Sequence, residues 1–378
     1  MNISICNAKK SYGLFSYSII QLFNYSVIQL LTLIKLGNSA ITIPPLTIGC
    51  WSFGSGDYWG AKLQSDVNHV VSAALDMGMN TFDTAEVYND GESERSLGLA
   101  LKGLRDRAVV ISKISPSNCR NVRRHCINSL QRLGMDYLDV YMLHWPINPL
   151  AVKHFTSDEQ LLESPPTVEE AFQQLDELKN EGLIRSIGIS NFGRKQMEEV
   201  AATGVQVDVN EITYNIVSRA IEADIVPYCL EHNISLIGSM GLMQGLLAGI
   251  YRTADDVPKH QAHSRHFAHF RGAETSRHHE EGCEKELFEV VNRLREIAGG
   301  LNIHVAQLSL AWILKKPFMT STLVGTCNVH NLKMNWEACR IILPDEIEAL
   351  IDEISLPVLH LLGNSPDYYE HRSKSRTY

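Results

Sequence analysis

From residue 46 onward the chain alternates short apolar runs with longer stretches whose apolar positions recur every three or four residues. Residues 46–50 predict a first strand. Val67, Val70, Val71, Ala74 and Leu75 then mark one face of a helix over 66–77. A second strand follows over 79–83, and Ser93 is placed to cap a helix running to about residue 104. A third strand covers 108–112, a helix 120–133 ends at Gly134, and a fourth strand covers 137–143. Thr167 and Glu170 form a capping-box pattern that opens a helix to about residue 181. The alternation goes on with strands over 184–189, 205–210, 235–238 and 320–324. Helices are predicted over 195–202, 221–232, 284–298, 305–314 and 329–338.

Eight such strand–helix repeats predict an α/β fold, a single-domain (β/α)8 TIM barrel, over residues 35–360. The alternative is an open doubly wound sheet. A dinucleotide-binding sheet of that kind usually carries G-x-G-x-x-G after its first strand, and Gly49-Cys50-Trp51-Ser52-Phe53-Gly54 does not fit it. Residues 361–378 read as a C-terminal tail. Residues 1–34 read as an extension outside the core. There Tyr17-Ser18-Ile19-Ile20-Gln21-Leu22 recurs as Tyr25-Ser26-Val27-Ile28-Gln29-Leu30, a repeat too short for a repeat array. The first reading is a start codon placed too early. A membrane anchor is the second reading, opposed by Gln21, Asn24 and Gln29 inside the apolar run.

Composition narrows the function. The chain has 378 residues, and 44% hydrophobic with 20% charged content is that of a soluble globular protein. A net charge of -9 argues against nucleic acid or an anionic membrane as partner. The eight cysteines form no CxxC pair, so no zinc site is expected and reduced thiols in the cytoplasm are.

In a barrel, chemistry sits at the C-terminal ends of strands. Those ends carry Asp83 with Tyr88 just beyond, Lys113, and His144. Together they suit carbonyl reduction. Hydride arriving at the carbonyl carbon builds charge on its oxygen, and Tyr88 would supply the proton. Lys113, held by Asp83, would stabilise the phenolate, and His144 would orient the carbonyl. Singly, each has an ordinary structural role open to it: a turn former, a surface aromatic, a solvated lysine, a core histidine.

The surrounding stretches resemble the aldo-keto reductase family. Gly78-Met79-Asn80-Thr81-Phe82-Asp83-Thr84-Ala85-Glu86-Val87-Tyr88 is similar to its first signature. Leu133-Gly134-Met135-Asp136-Tyr137-Leu138-Asp139 with His144-Trp145-Pro146, and Ile187-Gly188-Ile189-Ser190-Asn191-Phe192, are similar to two others. The resemblance spans about 36–338 and implies a barrel that binds NADPH without a Rossmann fold. It implies that Asp83, Tyr88, Lys113 and His144 are a catalytic tetrad. It implies further that Ser190, Asn191 and Glu211 hold the nicotinamide carboxamide and that Tyr214 stacks on its ring. Leu242 and Gly245 would then pass the pyrophosphate, and Gly325, Thr326, Asn331 and Asn335 the adenosine end.

Three departures bear on this. Glu211 stands where the family usually has glutamine, and a carboxylate cannot donate to the amide oxygen. Cys327 and Asn331 replace basic residues expected near a 2′-phosphate, which leaves NADH as an alternative cofactor. Met240-Gly241 replaces the usual serine-proline. Trp51 and Trp59 are candidate walls for a small carbonyl substrate, whereas Trp145 fits ordinary packing. The polar segment 251–282, with His260, His263, His266 and His269 three apart, reads as a mobile lid rather than a metal site. A second functional reading is a cofactor-bound regulatory subunit with weak turnover, as some family members serve membrane channels. A third is the reverse reaction, alcohol or sugar oxidation.

Overall fold

The computed structural model describes residues 33–378, so the tandem repeat lies outside the described residues. A hairpin opens the description: β1 (Ile34–Lys35) pairs antiparallel with β2 (Thr42–Ile43), so Ile34 belongs to the folded body rather than to the extension. Gly37 turns the hairpin at φ +52, and any Cβ there would lie 2.3 Å from the Asp208 carbonyl oxygen. Leu36 and Ile43 are fully buried and join Ile111, Val140, Met142, Val209 and Ile237 in one apolar cluster.

Eight parallel strands close the barrel: β3 (Leu46–Gly49), β4 (Thr81–Asp83), β5 (Val109–Ile114), β6 (Leu138–Leu143), β7 (Ile184–Ser190), β8 (Val209–Thr213), β9 (Ser235–Ser239) and β10 (Met319–Val324). They follow chain order around the ring, and β10 pairs with both β9 and β3. The helices are α1 (Gln64–Met77), α2 (Glu92–Ala100), α3 (Val122–Leu133), α4 (Pro149–Phe155), α5 (Glu159–Glu163), α6 (Val168–Asn180), α7 (Arg194–Ala202), α8 (Ile225–Glu231), α9 (Glu284–Gly300), α10 (Val305–Lys315), α11 (Val329–Glu337) and α12 (Asp345–Leu362). Among the described residues no single helix is long and apolar enough to cross a membrane.

Local signals act as read in two places. Gly134 ends α3 in the left-handed region, and Thr167 with Glu170 forms a complete capping box on α6. Two readings need correction. Ser93 lies inside α2, and its hydroxyl donates to the Cys50 carbonyl at 2.7 Å and bonds Thr84 Oγ1 at 2.8 Å, tying α2 to the ends of β3 and β4. The sixth barrel strand begins at Val209, not at residue 205.

The third correction is the tail. Residues 363–378 fold back against the open end of the barrel rather than trailing from it. Arg376 and Asp367 form a buried ion pair at 2.8 Å through Nε and Nη2. Asn148 and Gln196 side chains donate to the Arg376 carbonyl at 2.8 and 2.7 Å, and the Thr377 hydroxyl donates to the Asn191 carbonyl at 2.7 Å. Arg265, from the long segment after β9, is fully buried and donates to the carbonyls of Leu362 and Ser365, each at 2.8 Å. Segment and C-terminal stretch thus form one roof, because buried arginines must find acceptors and the folded-back carbonyls supply them.

Candidate active site

Side chains alternate along a strand, so the end of each barrel strand decides which residue faces the axis. On β8, Val209 sits in the axial cluster, so Glu211 and Thr213 share its face while Asn210, Ile212 and Tyr214 turn to the helices. The same rule carries Asp83 on β4, Lys113 on β5 and Ser190 on β7 to the axis at one level. Register places Ser190 opposite Glu211.

Lys113 Nζ donates to both Asp83 oxygens, at 2.5 and 2.6 Å, and to the Thr84 carbonyl at 3.1 Å. Glu211 Oε2 lies 3.4 Å from the same ammonium. All three side chains are shut off from solvent. The ammonium is 5.2 Å from the centroid of the Tyr88 ring, whose edge-on neighbour is the His144 ring at 5.5 Å. The four residues expected to act together are therefore brought together.

Tyr88 is carried by a loop with an unusual backbone. Asn89, Asp90 and Gly91 all have positive φ (50, 54 and 84), a conformation that asparagine, aspartate and glycine tolerate. The Asn89 amide holds it by donating to the Trp51 and Phe53 carbonyls at 3.0 and 2.7 Å. Gly56 leaves room for this: a Cβ there would be 2.1 Å from Asn89 Oδ1. Below, Glu86 accepts from Ser115 N and Asn118 Nδ2, both at 2.8 Å, and bonds His125 at 2.7 Å. These bonds tie the loop to the start of the segment after β5 and to α3.

Electrostatics follow from burial. Desolvation pushes the carboxyls of Asp83 and Glu211 upward, and Lys113 opposes this through its close contact with Asp83. Glu211, farther from the ammonium and facing Asp83, is held well above the carboxylate range. Desolvation alone would lower Lys113, but the two carboxyls outweigh it and keep it charged. Desolvation raises the Tyr88 phenol and Lys113 pulls it back, leaving it protonated. His144 is driven well below its usual range by burial first and by Lys113 second, so it is neutral.

The residues assigned to the cofactor divide in two. Asn191 adopts φ +63, takes the Glu211 carbonyl through its backbone N–H at 2.8 Å, and donates from Nδ2 to the His144 carbonyl at 3.1 Å and to Ser190 Oγ at 3.0 Å. Ser190, Asn191 and Glu211 thus adjoin the tetrad. Beyond them a cleft of about 460 Å³, part of it open to solvent, is lined by Thr213, Asn215, Met240, Met243, Gln244 and roof residues including Tyr369. Its lining includes none of the tetrad; it meets the site through β8, where Thr213 is two residues past Glu211. Leu242 and Gly245 belong to the same turn, whose backbone is left-handed at Met243, Gln244 and Gly245. Gly325 packs against Gly49, leaving an edge without side chains between β3 and β10. Asn328 caps α11 by accepting from the N–H groups of His330 and Asn331, so these donors are already engaged. Asn331 is exposed, whereas Asn335 is buried with its Oδ1 unpaired.

Tyr214 is not available for stacking. It is fully buried, lies against Trp312 with ring centroids 5.6 Å apart, and bonds Glu222 at 2.7 Å. A ring with no exposed face cannot receive a nicotinamide; strand alternation sends it outward. Trp51 is 5.9 Å from Tyr88 and stacks on Tyr58, and Trp59 meets both edge-on. Trp145 carries Arg376 over its ring at 3.8 Å, a packing role. The histidines of the roof are dispersed: His260 meets Tyr58, His263 meets Tyr369, His266 bonds the Val217 carbonyl at 2.9 Å, and His269 faces Phe270 and His279. Residues the sequence did not single out are Asn215, Met243, Phe155 beside His144, and the roof's Tyr369 and Thr377. They come from loops, from the end of α4 and from distant parts of the chain, and carry no motif.

Beside the Lys113 ammonium and the Tyr88 ring, Glu211 Oε2 and His144 Nδ1 are among the buried polar atoms that have no hydrogen-bond partner in the described residues. At that place they suit a planar polar group such as the carboxamide of a nicotinamide, and the cleft begins two residues farther along β8.

The model of the Aldo/keto reductase family matches residues 45–356. The chain is 30% identical over 349 residues to the NADH-specific methylglyoxal reductase of Escherichia coli, covering 85% of this chain and 98% of that protein. It is 28% identical to a putative voltage-gated potassium channel subunit beta of Schizosaccharomyces pombe, covering 84% and 92%. Among solved structures it is similar to an aldo/keto reductase from Klebsiella pneumoniae in complex with NADP and acetate. The TM-score is 0.63 at 26% identity, covering 85% and 95% of the two chains.

Proposed function

The chain belongs to the aldo/keto reductase family, and from that premise we propose that it reduces small aldehydes or ketones to alcohols, with Tyr88 as the proton donor. Bound beside Glu211, a nicotinamide cofactor supplies the hydride. Tyr88 passes its phenolic proton to the carbonyl oxygen as charge builds there. Lys113, kept cationic between Asp83 and Glu211, offsets the charge left on the phenolate. Neutral His144 orients the carbonyl oxygen by a hydrogen bond. Ser190 and Asn191 hold the carboxamide.

The observation that carries this reading is the buried contact of Lys113 with both Asp83 oxygens, directly behind the Tyr88 ring. The carboxyls of Asp83 and Glu211 keep this ammonium charged in a site closed to solvent, so it stands ready beside the ring to stabilise a phenolate. Either NADPH or NADH fits: the Klebsiella pneumoniae relative holds NADP, and the Escherichia coli relative is NADH-specific by name. The free state of all seven described cysteines supports a reducing, cytoplasmic setting. The test is loss of reduced-cofactor absorbance with NADPH and NADH in parallel, against methylglyoxal and a panel of aldehydes. Turnover with either cofactor is expected. Tight cofactor binding without turnover on any carbonyl would favour the regulatory-subunit reading, to which the likeness to a channel subunit lends support.

A further inference from the structure

One buried ammonium faces two buried carboxyls. Lys113 Nζ has Asp83 at 2.5 and 2.6 Å and Glu211 Oε2 at 3.4 Å, and the Thr84 carbonyl takes a further donor. Asp83 is bonded through both oxygens, whereas Glu211 Oε2 has no hydrogen-bond partner among the described residues. In a site closed to solvent one cation neutralises one anion, so the second carboxyl is the group free to hold or lose a proton. Among the described residues, the charged groups that act on it are Asp83 and Lys113. Its neighbours are Ser190 on β7 and Ile237 on β9, and Cys50 at the end of β3 is a buried thiol pushed upward by desolvation. The groups that face Glu211 are therefore Asp83 from β4, Lys113 from β5 and the Tyr88 phenol.

We propose that Glu211 answers the charge of the nicotinamide ring: its carboxyl stays protonated beside the neutral reduced ring and releases that proton beside the positively charged oxidised ring. The inference rests on the cofactor reading above. As a neutral acid Glu211 has both a donor and an acceptor, so it serves the carboxamide as a glutamine would. Beside a fixed positive charge the ionised form is favoured, because opposite charges a few ångströms apart in a dry site attract strongly. No covalent step is involved; the proton goes to solvent on binding of the oxidised cofactor and returns when the reduced form replaces it. Linkage then makes the preference for oxidised over reduced cofactor rise with pH, by up to about tenfold per pH unit over the titration of one carboxyl. A glutamine in this place has no such dependence.

The test measures proton release and affinity, not turnover. Wild-type protein and Glu211→Gln, a near-isosteric change, are titrated with oxidised and with reduced cofactor in weakly buffered solution carrying a pH indicator. Dissociation constants are measured in parallel from pH 6 to 9. The expected result is release of up to one proton per oxidised cofactor by the wild type and none with reduced cofactor. Release is absent, and the affinity ratio flat with pH, in Glu211→Gln. Release that persists in Glu211→Gln but vanishes in Tyr88→Phe assigns the proton to the phenol and overturns the proposal. Binding without proton release in the wild type also overturns it and leaves the reductase reading standing. Failure of the wild type to bind either cofactor removes both. Should Glu211→Gln not fold, the wild type and Tyr88→Phe still decide: release retained by Tyr88→Phe supports the carboxyl, and release lost in it overturns the proposal.

Discussion

The rim formed by β4, β5 and β6 and the rim formed by β8, β9 and β10 are built by different means. On the first, Asp83, Lys113 and His144 stand on or directly after strand ends, and Tyr88 is held by one short loop clamped through Asn89. On the second, the cleft is lined by a left-handed turn, by a long segment and by residues from the end of the chain, Tyr368 and Tyr369. The first is fixed by backbone ladders, and the second by side chains that reach across the sequence, above all Arg265 and Arg376. Where geometry to within half an ångström matters, the residues sit on rigid elements; where a ligand must be covered, they sit on a roof.

The contrast can be broken first at Tyr88. Replacing it with phenylalanine removes the proposed proton donor from the rigid rim. The expected loss is about 10²–10⁴ in kcat with cofactor affinity unchanged, measured by steady-state kinetics and fluorescence titration. Arg376→Ala attacks the roof instead. It leaves Asp367 buried without its partner and should cost about 3–5 kcal/mol of stability on denaturant unfolding, with β4 and β5 intact as seen by hydrogen exchange.

Acid should separate the two rims more gently. Burial lowers His266 to about 3 and His278 to about 4, so the folded roof resists protons that the unfolded chain accepts near 6.5. Their contribution to stability is complete above that value and declines as pH falls below it. Asp367 is depressed, so its contribution holds above the usual carboxylate range and is lost only in stronger acid. Between pH 6.5 and 4.5, hydrogen exchange corrected for its intrinsic rate should accelerate in the roof before β4 and β5, which hold no histidine. The smallest expected effect is at Cys327, beside Ser52 and near Lys62. Cys327→Arg should move relative affinity about tenfold toward NADPH over NADH. An unmoved ratio means that this segment does not touch the 2′-phosphate.

The same division explains what could be read from the chain. Strand ends are legible, because apolar runs give the strands and a barrel gathers its chemistry at their C-terminal ends; Asp83, Lys113 and His144 are read from those ends. Tyr214 shows how the method fails. With the strand placed over 205–210, the residues after it belong to a loop and can point anywhere. With β8 at Val209–Thr213, alternation sends Glu211 inward and Tyr214 onto Trp312. The folded-back end was illegible for another reason. Arg376 and Asp367 look like ordinary surface charges until Asn148, Gln196 and Asn191, far away in sequence, supply their surroundings. Glu211 was visible as a departure, but its neutrality depends on how many carboxyls share Lys113, and only the folded barrel counts them.

The most direct test of the account is a single turnover. Protein loaded with one equivalent of NADPH or NADH is mixed rapidly with excess methylglyoxal while reduced-cofactor absorbance is followed, for the wild type and for Tyr88→Phe. The account predicts full oxidation of the bound cofactor in the wild type and a rate lower by about 10²–10⁴ in Tyr88→Phe at equal cofactor occupancy. Equal rates in the two proteins would contradict Tyr88 as the proton donor, and a cofactor that stays bound and reduced in the wild type would contradict carbonyl reduction itself.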